Sequence, residues 1–136
     1  VNNKKDKPGK LEVLRKYDTA QLRMFLKGSF DPKCVWLLPE GKPPYKENDA
    51  PVGTEHNWLK MEVKRMFHLL EGGNPQLSQM KRDNMFIQML EGLSKEEAEL
   101  LIWAKDGVLN KKYKGLTANL VKEAFGWDDN FMRKNA

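Results

Sequence analysis

Residues 74–107, NPQLSQMKRDNMFIQMLEGLSKEEAELLIWAKDG, carry two consecutive helical patterns with their start and stop signals. Leu77, Met80, Ile87 and Leu90 recur at spacings that align side chains on one helix face, and Met85, Phe86 and Met89 widen it. Gly92 interrupts the pattern. Ser94 followed by Glu97 predicts a capping box, in which the hydroxyl accepts an orphan amide and the carboxylate reaches back to the cap amide. Ala98, Leu100, Leu101, Ile102 and Ala104 continue the second helix to Asp106-Gly107, where glycine takes the left-handed conformation that ends a helix. The spacing predicts helices over 76–91 and 95–105, joined by a link short enough to make them antiparallel neighbours. It sets Leu101, Ile102 and Trp103 near Phe86, Met89 and Leu90.

Upstream, Asn57 or Thr54 is placed to start a helix carrying Trp58, Met61, Phe67, Leu69 and Leu70, which Gly72-Gly73-Asn74-Pro75 stops. The endings RMFHLLEG (65–72) and MFIQMLEG (85–92) are alike, and chance accounts for two simple amphipathic endings more readily than duplication does. In residues 34–55, Cys34–Leu38 suits a short extended segment, while Pro39, Pro43, Pro44 and Pro51 exclude a continuous helix. Lys42-Pro43-Pro44 favours polyproline II geometry, with Tyr45 packing back on the domain. Nearer the start, Leu11, Leu14, Leu22, Met24, Phe25 and Leu26 give an interrupted helical pattern; Asp18 or Thr19 caps a helix over 20–27 and Gly28 ends it. Downstream, Thr117 caps a last helix bearing Leu120, Val121, Ala124 and Phe125, and Gly126 stops it. Trp127 and Phe131 then suit a frayed turn docked on the core. The expected fold class is all-α: a single-domain bundle of four or five helices with a long Pro-rich loop. Residues 1–10, rich in lysine, form a flexible basic arm and residues 11–136 the helical domain.

Composition agrees with one domain. The chain has 136 residues, 40% of them hydrophobic, and 24 basic groups against 19 acidic ones give a formal charge of +5. That mild excess favours negatively charged partners without selecting among them. Cys34 is the only cysteine, which excludes an intrachain disulfide and suits a reducing compartment. No apolar run approaches the ~20 residues of a membrane-spanning helix, and no membrane partner is expected.

His56, His68 and Cys34 match no zinc spacing. They are expected as a loop or cap residue, a helix-surface residue and a small buried hydrophobe respectively. Glu96, Glu97 and Glu99 suit the start of a helix, and Asp128-Asp129 a tail. No phosphate-binding glycine motif occurs. No catalytic residue, metal ligand or cofactor is therefore expected, and the chain is not expected to be an enzyme. The best functional surface is Lys111-Lys112-Tyr113-Lys114-Gly115: three lysines around an aromatic, directly before a capped helix whose free amides face the same loop. Such a loop clamps phosphates while Tyr113 stacks on a base; the plainer reading is a solvated loop with Tyr113 folded inward. Arg23 and Lys27 add a basic pair one helical turn apart, and Lys81-Arg82 suits an ordinary solvated face. The segment between 105 and 118 is too long for the tight turn of a helix-turn-helix.

Several pieces resemble a small uncharacterised protein family of T4-like tailed bacteriophages, especially marine ones. They are LRKYD at 14–18, Gly28-Ser29-Phe30-Asp31, LPEGKPPY at 38–45, YKGLT at 113–117 and EAF at 123–125. LPEGKPPY is the distinctive piece. The resemblance implies a phage accessory protein acting in the cytoplasm of an infected bacterial host or in the virion, with further sequence preceding Val1. It transfers no catalytic or binding residue. The expected partners are DNA or RNA, a host protein complex, or virion proteins; a virion assembly role and inhibition of a host enzyme are the competing functions.

Overall fold

The computed structural model of the chain describes residues 7–48 and 57–132. Seven α-helices occur among them: α1 (Lys7–Lys16), α2 (Ala20–Phe30), α3 (Leu59–Glu62), α4 (Gln79–Gly92), α5 (Lys95–Asp106), α6 (Leu109–Lys112) and α7 (Ala118–Phe125). A 3-10 helix, Val63–Leu69, follows α3 directly. The domain is an all-helical bundle, and an isolated antiparallel bridge pairs Trp36 with Leu70. The count exceeds four or five because Lys7–Lys16 forms a helix of its own and α6 adds a single turn; the pattern at 58–70 becomes one α-turn followed by the 3-10 segment. Of the expected basic arm, residues 1–6 lie outside the described residues, as do Pro51 and His56, whereas Lys7–Lys10 form the first turn of α1.

Helix α5 packs against α2, α3, α4 and α6, and α1 lies along α7. Leu90 and Leu101 are both 0% exposed; Phe86, Met89 and Ile102 share their core, and Trp103 packs half-buried against it. The start and stop signals act as the chemistry requires. Ser94 accepts from the Glu97 amide at 3.3 Å, and Thr117 accepts from Leu120 N–H at 3.2 Å. Gly107 and Gly126 hold φ of 69° and 68°, ending α5 and α7. One half of the capping box goes elsewhere. The Glu97 carboxylate accepts from the Leu59 amide, 3.3 Å from each oxygen, so it caps the first turn of α3 instead of its own helix.

Gly28 does not end α2, which continues to Phe30. It lies buried beneath Met66 and Trp36, where a Cβ would meet the Met66 methyl at 2.8 Å, and its carbonyl accepts from the Trp36 indole at 2.9 Å. The two similar endings also differ in structure. Gly72 sits in a turn with φ of 81°, whereas Gly92 closes an α-helix, so 65–72 and 85–92 are not copies of one element.

The stretch from Asp31 to Asn48 contains no helix and is held to the bundle by several hydrogen bonds, among them Lys46 N–H to the Glu91 carboxylate at 2.9 Å. Leu37 N–H donates to the Leu69 carbonyl at 2.9 Å and Glu71 N–H to the Val35 carbonyl at 2.8 Å. Further on, the Lys105 ammonium, with its side chain 2% exposed, donates to the carbonyls of Pro39 (2.8 Å) and Gly41 (3.0 Å) and to Asp106 (2.5 Å). Asp106 in turn accepts from Gly41 N–H at 3.1 Å. All three ammonium protons thus have acceptors, which is what makes burial of the charge tolerable. Gly41, at φ of 92°, takes a conformation that other residues adopt only with strain.

Two stability outcomes follow from these contacts. Leu90→Ala and Leu101→Ala should each lower the unfolding free energy by about 2–5 kcal/mol, read from denaturant midpoints. Lys105→Met strands the Asp106 carboxylate and two loop carbonyls. It should cost about 3–5 kcal/mol and speed cleavage after Glu40 by a Glu-specific protease, while leaving the helical circular dichroism intact. A wild-type midpoint in that variant would show that the clamp contributes nothing.

Candidate functional site

Lys111 and Lys112 end the single turn of α6, and Tyr113, Lys114 and Gly115 connect it to Leu116 and the Thr117 cap of α7. The three lysines are exposed. Tyr113 is half-buried and meets Trp103 edge-on at 6.3 Å between ring centroids, and the Lys112 ammonium lies 5.1 Å above the Trp103 ring. The tyrosine is therefore folded inward, as in the plainer of the two sequence readings, and it braces the loop from below.

Helix α1 contributes a residue that the sequence pattern had assigned to the arm. The Lys10 side chain lies across Gly115 so closely that a side chain there would collide with its ammonium. Gly115, at φ of 84°, is favoured there by its backbone conformation. Lys10, Gly115, Thr117, Asn119 and Leu120 line a hollow of about 280 Å³. Between Asp106 and Glu123 the chain carries Lys111, Lys112, Lys114 and Lys122 without an intervening acidic residue. Lys122 is turned away to Asp129 at 3.3 Å; Lys111, Lys112 and Lys114 are exposed along the loop, and Lys10 reaches its Gly115 end. Among the described residues Lys111 and Lys114 form no ion pair.

Arg23 and Lys27 belong to a different surface. Arg23 pairs with Asp18 at 2.9 Å, and Lys27 donates to the Met132 sulfur at 3.9 Å. Both line a shallow groove with Trp127, Phe131 and Met132, because the C-terminal turn docks on α2. The structure does not bring them to the cavity that Tyr113 lines. Arg15 is also engaged, donating to the Glu123 and Ala124 carbonyls at the end of α7, each at 3.3 Å. Arg82 is a correction to the solvated-face reading of Lys81-Arg82. It is buried, and its guanidinium donates to the carbonyls of His68 (3.1 Å) and Leu77 (3.0 Å) and to Gln79 (2.9 Å).

Tyr113 also lines an open apolar groove of about 370 Å³ between α2, α3, α5 and α6, whose other walls include Leu22, Phe25, Leu59, Leu100 and Leu109. No sequence signal pointed to it, since its walls come from several separate helices, Leu14 of α1 among them. The remaining chemical candidates have structural roles. Burial raises the Cys34 thiol pKa and nearby Asp31 adds to the effect, with Lys27 opposing; the thiol is poorly suited to nucleophilic work at neutral pH. His68 contacts Asn74 at 3.0 Å, and Asp128 accepts from the Asn130 amide at 2.8 Å in a tight turn. Among the described residues no three His, Cys, Asp or Glu side chains are grouped to hold a metal ion, and no helix is long and apolar enough to cross a membrane.

Comparison with known proteins matches residues 1–111 to a family model described as "Family of unknown function (DUF6433)", so that Lys112, Tyr113, Lys114 and α7 lie beyond the matched segment. No curated protein and no solved structure matches the chain. Matched over most of its length, the chain belongs to the DUF6433 family.

Proposed function

We propose that this chain is a non-enzymatic accessory protein that binds nucleic acid through the corner formed by Lys10, Lys111, Lys112 and Lys114. The observation that carries the reading is the position of Lys10 across Gly115, which joins the basic start of α1 to the lysine loop before α7. Like charges repel, and a fold that sets Lys10 against the end of a loop bearing three more lysines works against that repulsion. A polyanion relieves it and releases the counterions condensed on its own backbone. The resemblance of LPEGKPPY and YKGLT to T4-like phage proteins supports placing this activity in an infected bacterial host. Tyr113 serves the reading as a brace that fixes the loop, and phosphates are the groups recognised. Arg23 and Lys27 fall outside this surface.

Titration with short DNA and RNA at two salt concentrations tests the proposal. Binding should weaken as salt rises, and Lys112→Ala with Lys114→Ala should flatten the logarithmic salt slope by about 2. Adding Lys10→Ala should flatten it by about one more, whereas Lys27→Ala should leave it unchanged. No binding at low salt, or an unchanged slope in the folded triple variant, would sink the reading. High copy number in purified particles would replace it with virion assembly.

A further inference from the structure

We infer, resting on the nucleic-acid reading, that the lysine loop and Lys10 take the sugar-phosphate backbone of a duplex in preference to a single strand. What decides between the two is where the aromatic rings lie. Proteins that hold single strands without sequence preference combine a cationic track with exposed rings on which unstacked bases sit, and the rings supply much of the affinity. Here the loop offers its cations to solvent and keeps its ring inside. Lys111, Lys112 and Lys114 are exposed, whereas Tyr113 is half-buried and meets Trp103 edge-on at 6.3 Å between centroids. Trp103 is engaged in turn, with the Lys112 ammonium 5.1 Å above its ring.

The groove behind Tyr113 gives a base no better platform. Its walls are mostly leucines, among them Leu22, Leu59, Leu100 and Leu109, and its other ring, Phe25, is buried. Tyr17 is exposed, but it stands seven residues beyond Lys10, about 10 Å along the α1 axis. The Lys16 ammonium lies 5.6 Å over its ring. The lysines therefore act on phosphate charge, and charge density selects the substrate. A duplex carries one negative charge per about 1.7 Å of its axis, about twice the density of one strand. It also releases more counterions for each phosphate neutralised, about 0.9 against about 0.7.

The test titrates the full chain with one mixed sequence of about 20 nucleotides, as single strand and as duplex, in DNA and in RNA, at about 50 and 200 mM salt. Affinities are compared per phosphate. Expected is a duplex bound about fivefold or more tightly than its own strand at the lower salt, with a logarithmic salt slope steeper by about 0.2 for each lysine engaged. Tyr113→Leu and Tyr17→Leu, with folding checked by circular dichroism, should each change strand and duplex affinity by the same factor. The DNA and RNA arms identify which duplex is taken, and preference in either upholds the inference. A duplex bound no tighter than its strand in both chemistries overturns it and leaves the nucleic-acid reading standing, as does a loss confined to single strands in either tyrosine variant. Binding of neither form at low salt overturns both.

Discussion

Helix α5 is enclosed by α2, α3, α4 and α6, so the polar groups at its two ends must find partners inside the protein. At the start, Ser94 is buried and holds its own helix, which releases the Glu97 carboxylate to accept from Leu59 and hold α3. At the end, Lys105 projects from the buried stripe that Ala98, Leu101 and Ile102 begin. An ammonium there is tolerable only with a full set of acceptors, and Asp106 and the Pro39–Gly41 turn supply them. The path of the Pro-rich segment is thus set from the core outward. Its position also favours the helix, since a cation in the last turn faces the negative end of the macrodipole.

The same logic closes the molecule at its ends. Arg15 of α1 reaches the Glu123 and Ala124 carbonyls at the end of α7 and ties the two helices together. With α1 packed along α7, the Lys10 side chain lies over Gly115 in the loop that leads into that helix. The C-terminal turn is held in parallel fashion, with Trp127 and Phe131 buried and Lys33 donating to Asn130 at 3.3 Å.

Tyr113 connects the two candidate surfaces. Its ring forms part of the groove wall and meets Trp103 edge-on, and its neighbours Lys112 and Lys114 face solvent.

Local signals were sufficient wherever a residue's partner lies within one helical turn. Ser94, Thr117, Gly107 and Gly126 mark helix ends in the sequence and do so in the structure, because caps are satisfied by amides three residues away or by the chain's own last turn. The apolar stripes of α4 and α5 were equally legible, and their burial made the bundle expected. Signals failed where a distant partner competes. Gly28 looks like a stop, yet contact with Trp36 and Met66 keeps it helical; Glu97 looks like a self-cap, yet α3 takes its carboxylate. The pattern at 58–70 has helical spacing, but tertiary donors hold its final carbonyls, Arg82 at His68 and Leu37 at Leu69, over a 3-10 winding. Lys105 did leave a trace, a charge standing on an apolar stripe, though nothing in the sequence named its acceptors. Lys10 beside Gly115 left none, nor did the groove walled by several helices. Caps and stripes are written in spacings of a few residues, while a convergence of surfaces depends on how whole helices pack, and that is decided only when the core closes.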